Sequence, residues 1–341
     1  MKLELTDFNS FGKNILFTGA NSGIGFCSLI HLLRKENYLY VPIRSTKRKK
    51  IFIDKLKNHF DSDFLSKYLN LIEYVDFSNL ENIKKIKDYF VKEEKNIDIV
   101  ILNAGMQYTG ALYPKVSKQG FEMTFAVNHL AHFYLIQIIL PFINDQNGSR
   151  IIVTSSDVHN PKSSGGNVGK KAGLNNLDNY QNVIYGKFLN FSADKAYKDS
   201  KLCNILFAKE LSQNLKLKKS KISVITWAPG LVIPDGDLGF FRYSSKFNNI
   251  GYILFSNISK NILGISESAK GAGNILYKIA MAKDFNNVNY LHLSNQLISY
   301  KKHKLKNIDV SVEANNSELA KKLWEFSKKL CDSFGFSSFN I

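Results

Sequence analysis

Cysteine is scarce in this chain: Cys27, Cys203 and Cys331 are the three in 341 residues. So few, so widely spaced, exclude a disulfide framework and a CxxC metal site, and they point to a reducing compartment with no structural metal. The N-terminal stretch MKLELTDFNSFGKNILFTGA lacks a basic segment followed by a long apolar run, so no secretory signal is expected. Long hydrophobic runs are missing as well. The longest apolar stretch, HFYLIQIILPFI at 132–143, is too short to span a bilayer and contains Pro141, which makes it a buried helix. The expectation is a soluble, cytoplasmic protein, at most peripheral to a membrane. No internal repeat and no linker divides the chain, and no nucleic-acid-binding motif accompanies the net charge of +17. Its lysines are spread and mixed with asparagine, so the charge favours an anionic surface or a carboxylated ligand over nucleic acid.

With 44% hydrophobic residues, the chain has material for one large core. Short apolar runs alternate with helical patterns. KNILFT (13–18), YLYVPIR (38–44), LNLIEYVDF (69–77), IDIVILNAG (97–105), SRIIVTSS (149–156) and KISVITWAPG (221–230) are predicted strands, with amphipathic or apolar helices between them. That order predicts an α/β fold, a Rossmann-type doubly wound parallel sheet, in a single domain over 1–341. Residues 157–194, rich in Gly, Asn, Lys and Ser, form an insertion before a helix around 197–215, and 231–266 is an irregular substrate-side region.

Chemistry concentrates at the carboxyl ends of the predicted strands, where ligands bind in such sheets. TGANSGIG spans Thr18, Gly19, Asn21, Ser22, Gly23, Ile24 and Gly25 between the first strand and helix. Glycines there allow a tight turn and close approach of backbone N–H groups to a pyrophosphate at the helix N-terminus. The second strand ends in Arg44 with no carboxylate, which favours the 2′-phosphate of NADP(H) over the bare ribose of NAD. Asp76, after the third strand, suits either the adenine amino group or a helix N-cap. Asn103, Ala104 and Gly105 make a turn small enough to pack against a ribose. Asn128 is polar within an apolar helix, and a buried Asn needs partners: main chain at a helix kink, a water in a proton relay, or both. His129 and His132 read as packing or surface residues. Tyr197 and Lys201 stand four apart on a helix, about 5–6 Å from each other on one face, where a cation can lower a phenol's pKa into the range of general acid–base work.

In order and spacing, Thr18–Gly25, Asn103–Gly105, Asn128, Ser156, Tyr197 with Lys201, and Pro229-Gly230 resemble the short-chain dehydrogenase/reductase superfamily. The resemblance implies that Tyr197 transfers a proton, that Lys201 lowers its pKa and grips the nicotinamide ribose, and that Ser156, second of the paired serines, orients substrate. A narrower likeness is to light-dependent protochlorophyllide oxidoreductases, carried by KAYKDSKLCNILFAKEL, the insertion before it, GFFRYSSKF, ISESAKGAG and the helix ELAKKLWEFSKKL. That family has cysteine where this chain has Leu231, and threonine where it has Ser156. The implied function is NADPH-dependent reduction of a bulky hydrophobic substrate, first the protochlorophyllide C=C bond, with Tyr197 as proton donor. Phe240, Phe241, Tyr243, Phe247 and Tyr252 would supply apolar contacts to a wide ring. The rival is a light-independent carbonyl reductase or alcohol dehydrogenase resembling retinol dehydrogenases. A non-catalytic NADP(H)-binding scaffold would need a damaged site, and this one is intact. The helices at 121–143 and 196–215 are where members of the superfamily pair, so monomer and homodimer are both open.

Overall fold

In the computed structural model, the residues described are 11–177, 184, 191–233 and 249–336. Phe240, Phe241, Tyr243 and Phe247 therefore lie outside the described residues, whereas Tyr252 is within them. The six predicted strands are present as β1 (Asn14–Thr18), β2 (Tyr38–Ile43), β3 (Leu69–Glu73), β4 (Ile99–Leu102), β5 (Arg150–Thr154) and β6 (Ser223–Ala228). Two-residue strands β7 (Leu231–Val232) and β8 (Ser266–Glu267) pair apart from the main sheet, and a hairpin of β9 (Tyr290–Ser299) and β10 (Lys302–Asn307) extends it. The sheet order is β10-β9-β6-β5-β4-β1-β2-β3, parallel throughout except between β9 and β10. No apolar run in the sequence marks the hairpin. Its second strand, KHKLKN, carries lysine at alternate positions and lies at the sheet edge, where charge rather than an apolar run guards the exposed backbone.

The inner strands are apolar at nearly every position because helices cover both faces. Leu16 of β1 faces a core formed with α4 (Leu80–Lys92), α5 (Met123–Phe142), α6 (Ala193–Leu217) and α9 (Ser317–Asp332). Its neighbours Ile15 and Phe17 face the opposite core, packed by α1 (Gly23–Leu33), α2 (Thr46–Leu56), α3 (Ser62–Tyr68) and α8 (Ala269–Met281). The remaining helix, α7 (Asn249–Asn257), lies in the excursion between β7 and β8.

The apolar run expected at 132–143 is part of the longer α5. By length and composition α5 could cross a bilayer, but most of it is inside the molecule. It is not uniform: Ala126–Leu130 is a π-turn, and Leu140–Phe142 ends it as a 3₁₀ turn carrying Pro141. The outer faces of α5 and α6 are covered by α9, whose Trp324 ring lies 5.0 Å from Phe133 and 5.9 Å from Phe207, centroid to centroid.

Candidate active site

The site forms where β1, β4, β5 and β6 end. At Gly19 the backbone is left-handed (φ 71°), and a Cβ there would lie 2.7 Å from the Cα of Ala104. At Gly25 a Cβ would lie 2.3 Å from the Gly19 carbonyl oxygen. Both positions require glycine because the turn is pressed against the start of α1 and the Asn103–Gly105 turn. Ser22 caps α1 by position, with no side-chain cap bond, and the first turn of α1 holds no acidic residue. Its free N–H groups and positive dipole end face the loop, which suits a phosphate.

Thr18 does not reach this cradle. Its buried hydroxyl donates to the Ile101 carbonyl (3.3 Å) and accepts from the backbone N–H groups of Asn103 (2.9 Å) and Ala104 (3.0 Å). Its part in the loop is to tie β1 to the β4 turn. Asn103 completes the tie, donating through Nδ2 to the Gly19 carbonyl at 3.4 Å and accepting from Thr154 Oγ1 at 3.2 Å.

Asn128 takes the main-chain role. Fully buried in the π-turn, it accepts from Met106 N–H (2.8 Å) and donates to the Met106 carbonyl (2.9 Å) and to Ser200 Oγ (2.9 Å). The π geometry widens one helical turn so that this side chain reaches the β4 loop. His132, expected to be packing or surface, is buried and bridges the two motifs. One ring nitrogen lies 3.0 Å from Thr18 Oγ1, the other 3.2 Å from the Asn128 carbonyl. Burial pushes the pKa of His132 and of His129 down to about 3, so both rings are neutral. Neither His132 nor Ser200 belongs to a motif that would have flagged it. Only the register of α5 against α6 reveals them.

Helix α6 begins with Ser192 accepting from Lys195 N–H at 3.2 Å and carries Tyr197 and Lys201 inward. The Ser156 side chain lies close enough to the Tyr197 phenol to draw its pKa downward. Ser155 is turned away, donating to the Lys201 carbonyl at 2.9 Å, as expected when only one of two adjacent serines can face the crevice. Lys201 Nζ donates to the Thr154 carbonyl at 3.1 Å, and it lies 5.7 Å from the centre of the Tyr197 ring. Gly105 adjoins this group: a Cβ there would be 3.7 Å from Lys201 Nζ.

In the net balance at Tyr197 burial dominates and pushes the phenol up, Ser156 pulls against it, and Asp194 adds to the rise. Any lowering by Lys201, whose ammonium lies over the ring and bonds the Thr154 carbonyl, does not overcome that burial. Burial also pushes Lys201 down to about 8. At neutral pH Tyr197 is therefore a protonated phenol beside a mostly protonated lysine.

At the end of β2, Arg44 is exposed, with Nε 3.9 Å from Asp76 Oδ2. The helix-cap alternative for Asp76 does not hold. Asn79 caps α4, accepting from Glu81 N–H at 3.2 Å, while Asp76 Oδ1 accepts from Ser78 N–H and hydroxyl in a turn before it. Asn21 lies on the glycine loop and Ile24 in the first turn of α1, and Pro229 and Gly230 close the end of β6, where a Cβ on Gly230 (φ 78°) would meet the Asn295 carbonyl at 2.9 Å.

The insertion after Ser156 is fastened to α6 by buried charge. Lys198 pairs with Asp194 at 2.8 Å and donates to the carbonyls of Val168 and Lys170; Lys195 pairs with Asp199 at 2.5 Å and donates to the Gly173 carbonyl at 2.7 Å. Asp199 also accepts from Gly173 N–H at 2.9 Å, and burial pushes its pKa up to about 6 against these partners.

A glycine turn braced on β4, a serine beside a tyrosine, a lysine one turn along α6 and an asparagine in a π-turn thus come together at one end of the sheet. Residues 13–172 match the family model of short chain dehydrogenases. Over that stretch the chain resembles the short-chain dehydrogenases. Among oxidoreductases similar to it, protochlorophyllide reductase of Pisum sativum is 27% identical over 93% of this chain and 77% of its own length. Retinol dehydrogenase 11 of Homo sapiens is 28% identical over 95% and 86%. The short-chain dehydrogenase/reductase fold is shared with L-sorbose reductase from Gluconobacter frateurii, solved with NADPH and L-sorbose, at a TM-score of 0.61 and 15% identity over 87% of this chain and all of that one. An uncharacterized protein from Mycobacterium Paratuberculosis superposes over 99% of this chain and 98% of its own, at a TM-score of 0.67 and 22% identity.

Proposed function

We propose that this chain is an NADPH-dependent reductase of the short-chain dehydrogenase/reductase type, acting on a bulky hydrophobic carbonyl compound. The closeness of Ser156 to Tyr197 carries the reading, because two hydroxyls side by side at the end of β5 make a cradle for one substrate oxygen. The uncapped N-terminus of α1, the glycines that leave room beside it and the exposed Arg44 fit a phosphorylated dinucleotide, and NADPH, when bound, supplies the hydride. Asn103, Ala104 and Gly105 would flank its ribose, Asp76 would help hold its adenine end, and Pro229 and Gly230 would border the reacting end. Tyr197, kept protonated by its burial, donates its phenolic proton to the substrate oxygen as that oxygen gains charge, which suits reduction at neutral pH. Ser156 orients the same oxygen. Lys201, held by Thr154, keeps a cation beside the phenolate that remains. Asn128 fixes the Met106 backbone and Ser200, and with them the turn beside Lys201.

A second reading, light-dependent reduction of the protochlorophyllide C=C bond, is supported by the relatives of that name and by the fastened insertion before Tyr197. Ser156 and Leu231 favour the carbonyl reading. The cover that α9 places over α5 and α6 favours a monomer over the pairing expected on those helices, and a peripheral membrane contact fits a lipophilic substrate.

The test is purified protein with NADPH and either retinal in the dark or protochlorophyllide with and without light. NADPH oxidation with retinal, lost in Tyr197→Phe, supports the carbonyl reading. Light-dependent conversion of protochlorophyllide alone replaces it with the second. NADPH binding without turnover of either substrate overturns both.

A further inference from the structure

We infer that α7, the π-turn after it and the tip of the β9–β10 hairpin form a single docking surface for an anionic lipid membrane. The inference rests in part on the hydrophobic-substrate reading above, but its observations are separate. Helix α7 buries none of its residues. Ile250, Leu254, Ile258 and Ile262, each four positions from the last, are all exposed, the first to 75% and the last to 68%, with Ile253 and Leu263 exposed beside them. A stripe of large aliphatic side chains facing water on a helix that gives nothing to the core is far from the scattered exposed leucine of an ordinary surface.

The stripe is continuous with the hairpin. Tyr300 donates its hydroxyl to the Asn261 carbonyl at 2.8 Å, and Lys301 N–H donates to the Gly264 carbonyl at 2.9 Å. Gly264 has left-handed backbone (φ 60°), and a Cβ on it would lie 2.4 Å from the Tyr300 ring, so the two segments touch. The hairpin adds exposed Leu297, Ile298 and Tyr300 to the apolar area. Lys301, Lys302, Lys304 and Lys306 are exposed alongside.

Edge protection explains alternate lysines on β10. It does not explain an exposed apolar stripe whose far end, at Asn261 and Gly264, is hydrogen-bonded to the same hairpin. An apolar face bordered by lysines suits the boundary between acyl chains and anionic headgroups. A second copy of this chain would bring the same lysines, and the same net charge of +17, against this face. The excursion holding α7 leaves and rejoins the body at β7 and β8, and β7 directly follows Pro229-Gly230 at the end of β6. A membrane docked there would lie on the side where a lipophilic substrate enters.

The experiment is flotation of the purified full chain with vesicles of phosphatidylcholine alone or with added phosphatidylserine, at low and high salt. The expected result is binding that needs phosphatidylserine, weakens with salt and falls roughly tenfold or more in Leu254→Ser/Ile258→Ser/Ile262→Ser. Lys302→Glu/Lys304→Glu should lower binding to the anionic vesicles. If the triple variant misfolds, Ile250→Ser alone should lower binding several-fold. Wild-type binding to neither vesicle, or binding that these changes leave untouched, overturns the proposal. So does a dimer detected by light scattering that the apolar substitutions dissolve, which would assign the face to a second copy. NADPH titration by fluorescence separates the two readings, since the surface variants should bind NADPH as wild type does. Loss of NADPH binding by the wild type would sink the proposed reductase and leave the vesicle result standing.

Discussion

Around Asn128 the chain spends its polar atoms on holding the backbone, whereas around Leu254 it leaves large apolar side chains exposed. Asn128 satisfies both ends of its amide with Met106 and Ser200, His132 links Thr18 to the π-turn, and Lys201 is drawn onto Thr154. Helix α7, in the same fold, packs no side chain into either core. The candidate site is tied together by hydrogen bonds, which suits groups that must meet to within fractions of an ångström. The excursion between β7 and β8 has no such demand, and in the docking proposed above its exposed apolar residues meet a membrane.

The sharpest break of this contrast is Tyr197→Phe. It removes the proposed proton donor and little of the packing, so turnover should fall about 10²–10⁴-fold while NADPH affinity, read by fluorescence, stays within a few-fold. Unchanged turnover would remove Tyr197 from the chemistry. Next is Asn128→Ala, which strands the Met106 N–H and carbonyl and should cost about 2–4 kcal/mol in urea unfolding. A loss below about 0.5 kcal/mol would mean that the π-turn does not depend on its asparagine.

Lys201→Met tests whether function and stability oppose each other at one buried charge. Lys201 ionises near 8 when folded against an ordinary 10.5. The unfolded chain thus binds more protons between those values, and the lysine's burden on stability is full below about pH 8 and relieved as pH rises toward 10.5. The variant should melt higher at pH 7, by about 1–3 kcal/mol, and lose turnover. A lower melting temperature would show that the Thr154 bond outweighs the burial cost.

Asp199→Asn gives a smaller effect, visible in its pH dependence. With the folded pKa near 6 against an ordinary 3.8, the folded chain holds the proton longer. Stability from this group is present below about pH 4 and declines as pH rises through 6. Urea midpoints measured from pH 4 to 7 should lose that slope in the variant. Smallest of all, Leu254→Ser should shift stability by no more than about 0.5 kcal/mol, since the side chain is already in water. A larger loss would place α7 in the core.

Much of this was legible in the chain before any coordinates. The apolar runs of β1 to β6 and the helical spacing between them determine a covered parallel sheet, because strands buried on both faces must be apolar throughout. The glycine turn and the Tyr197–Lys201 spacing likewise declare themselves, since local backbone geometry alone puts those groups where they are. Strand β10 was hidden by its lysines, and α3 by its shortness. Tertiary structure alone decided that His132 would bridge Thr18 and Asn128, that Ser200 would receive the Asn128 amide and that α9 would cover α5 and α6. It also decided that Lys201 would lie over the ring of Tyr197 rather than at its hydroxyl. Residue type and spacing set which groups share a helix face, but distances across elements and the dielectric around each charge arise only when the layers pack, and those distances and dielectrics set the proton affinities.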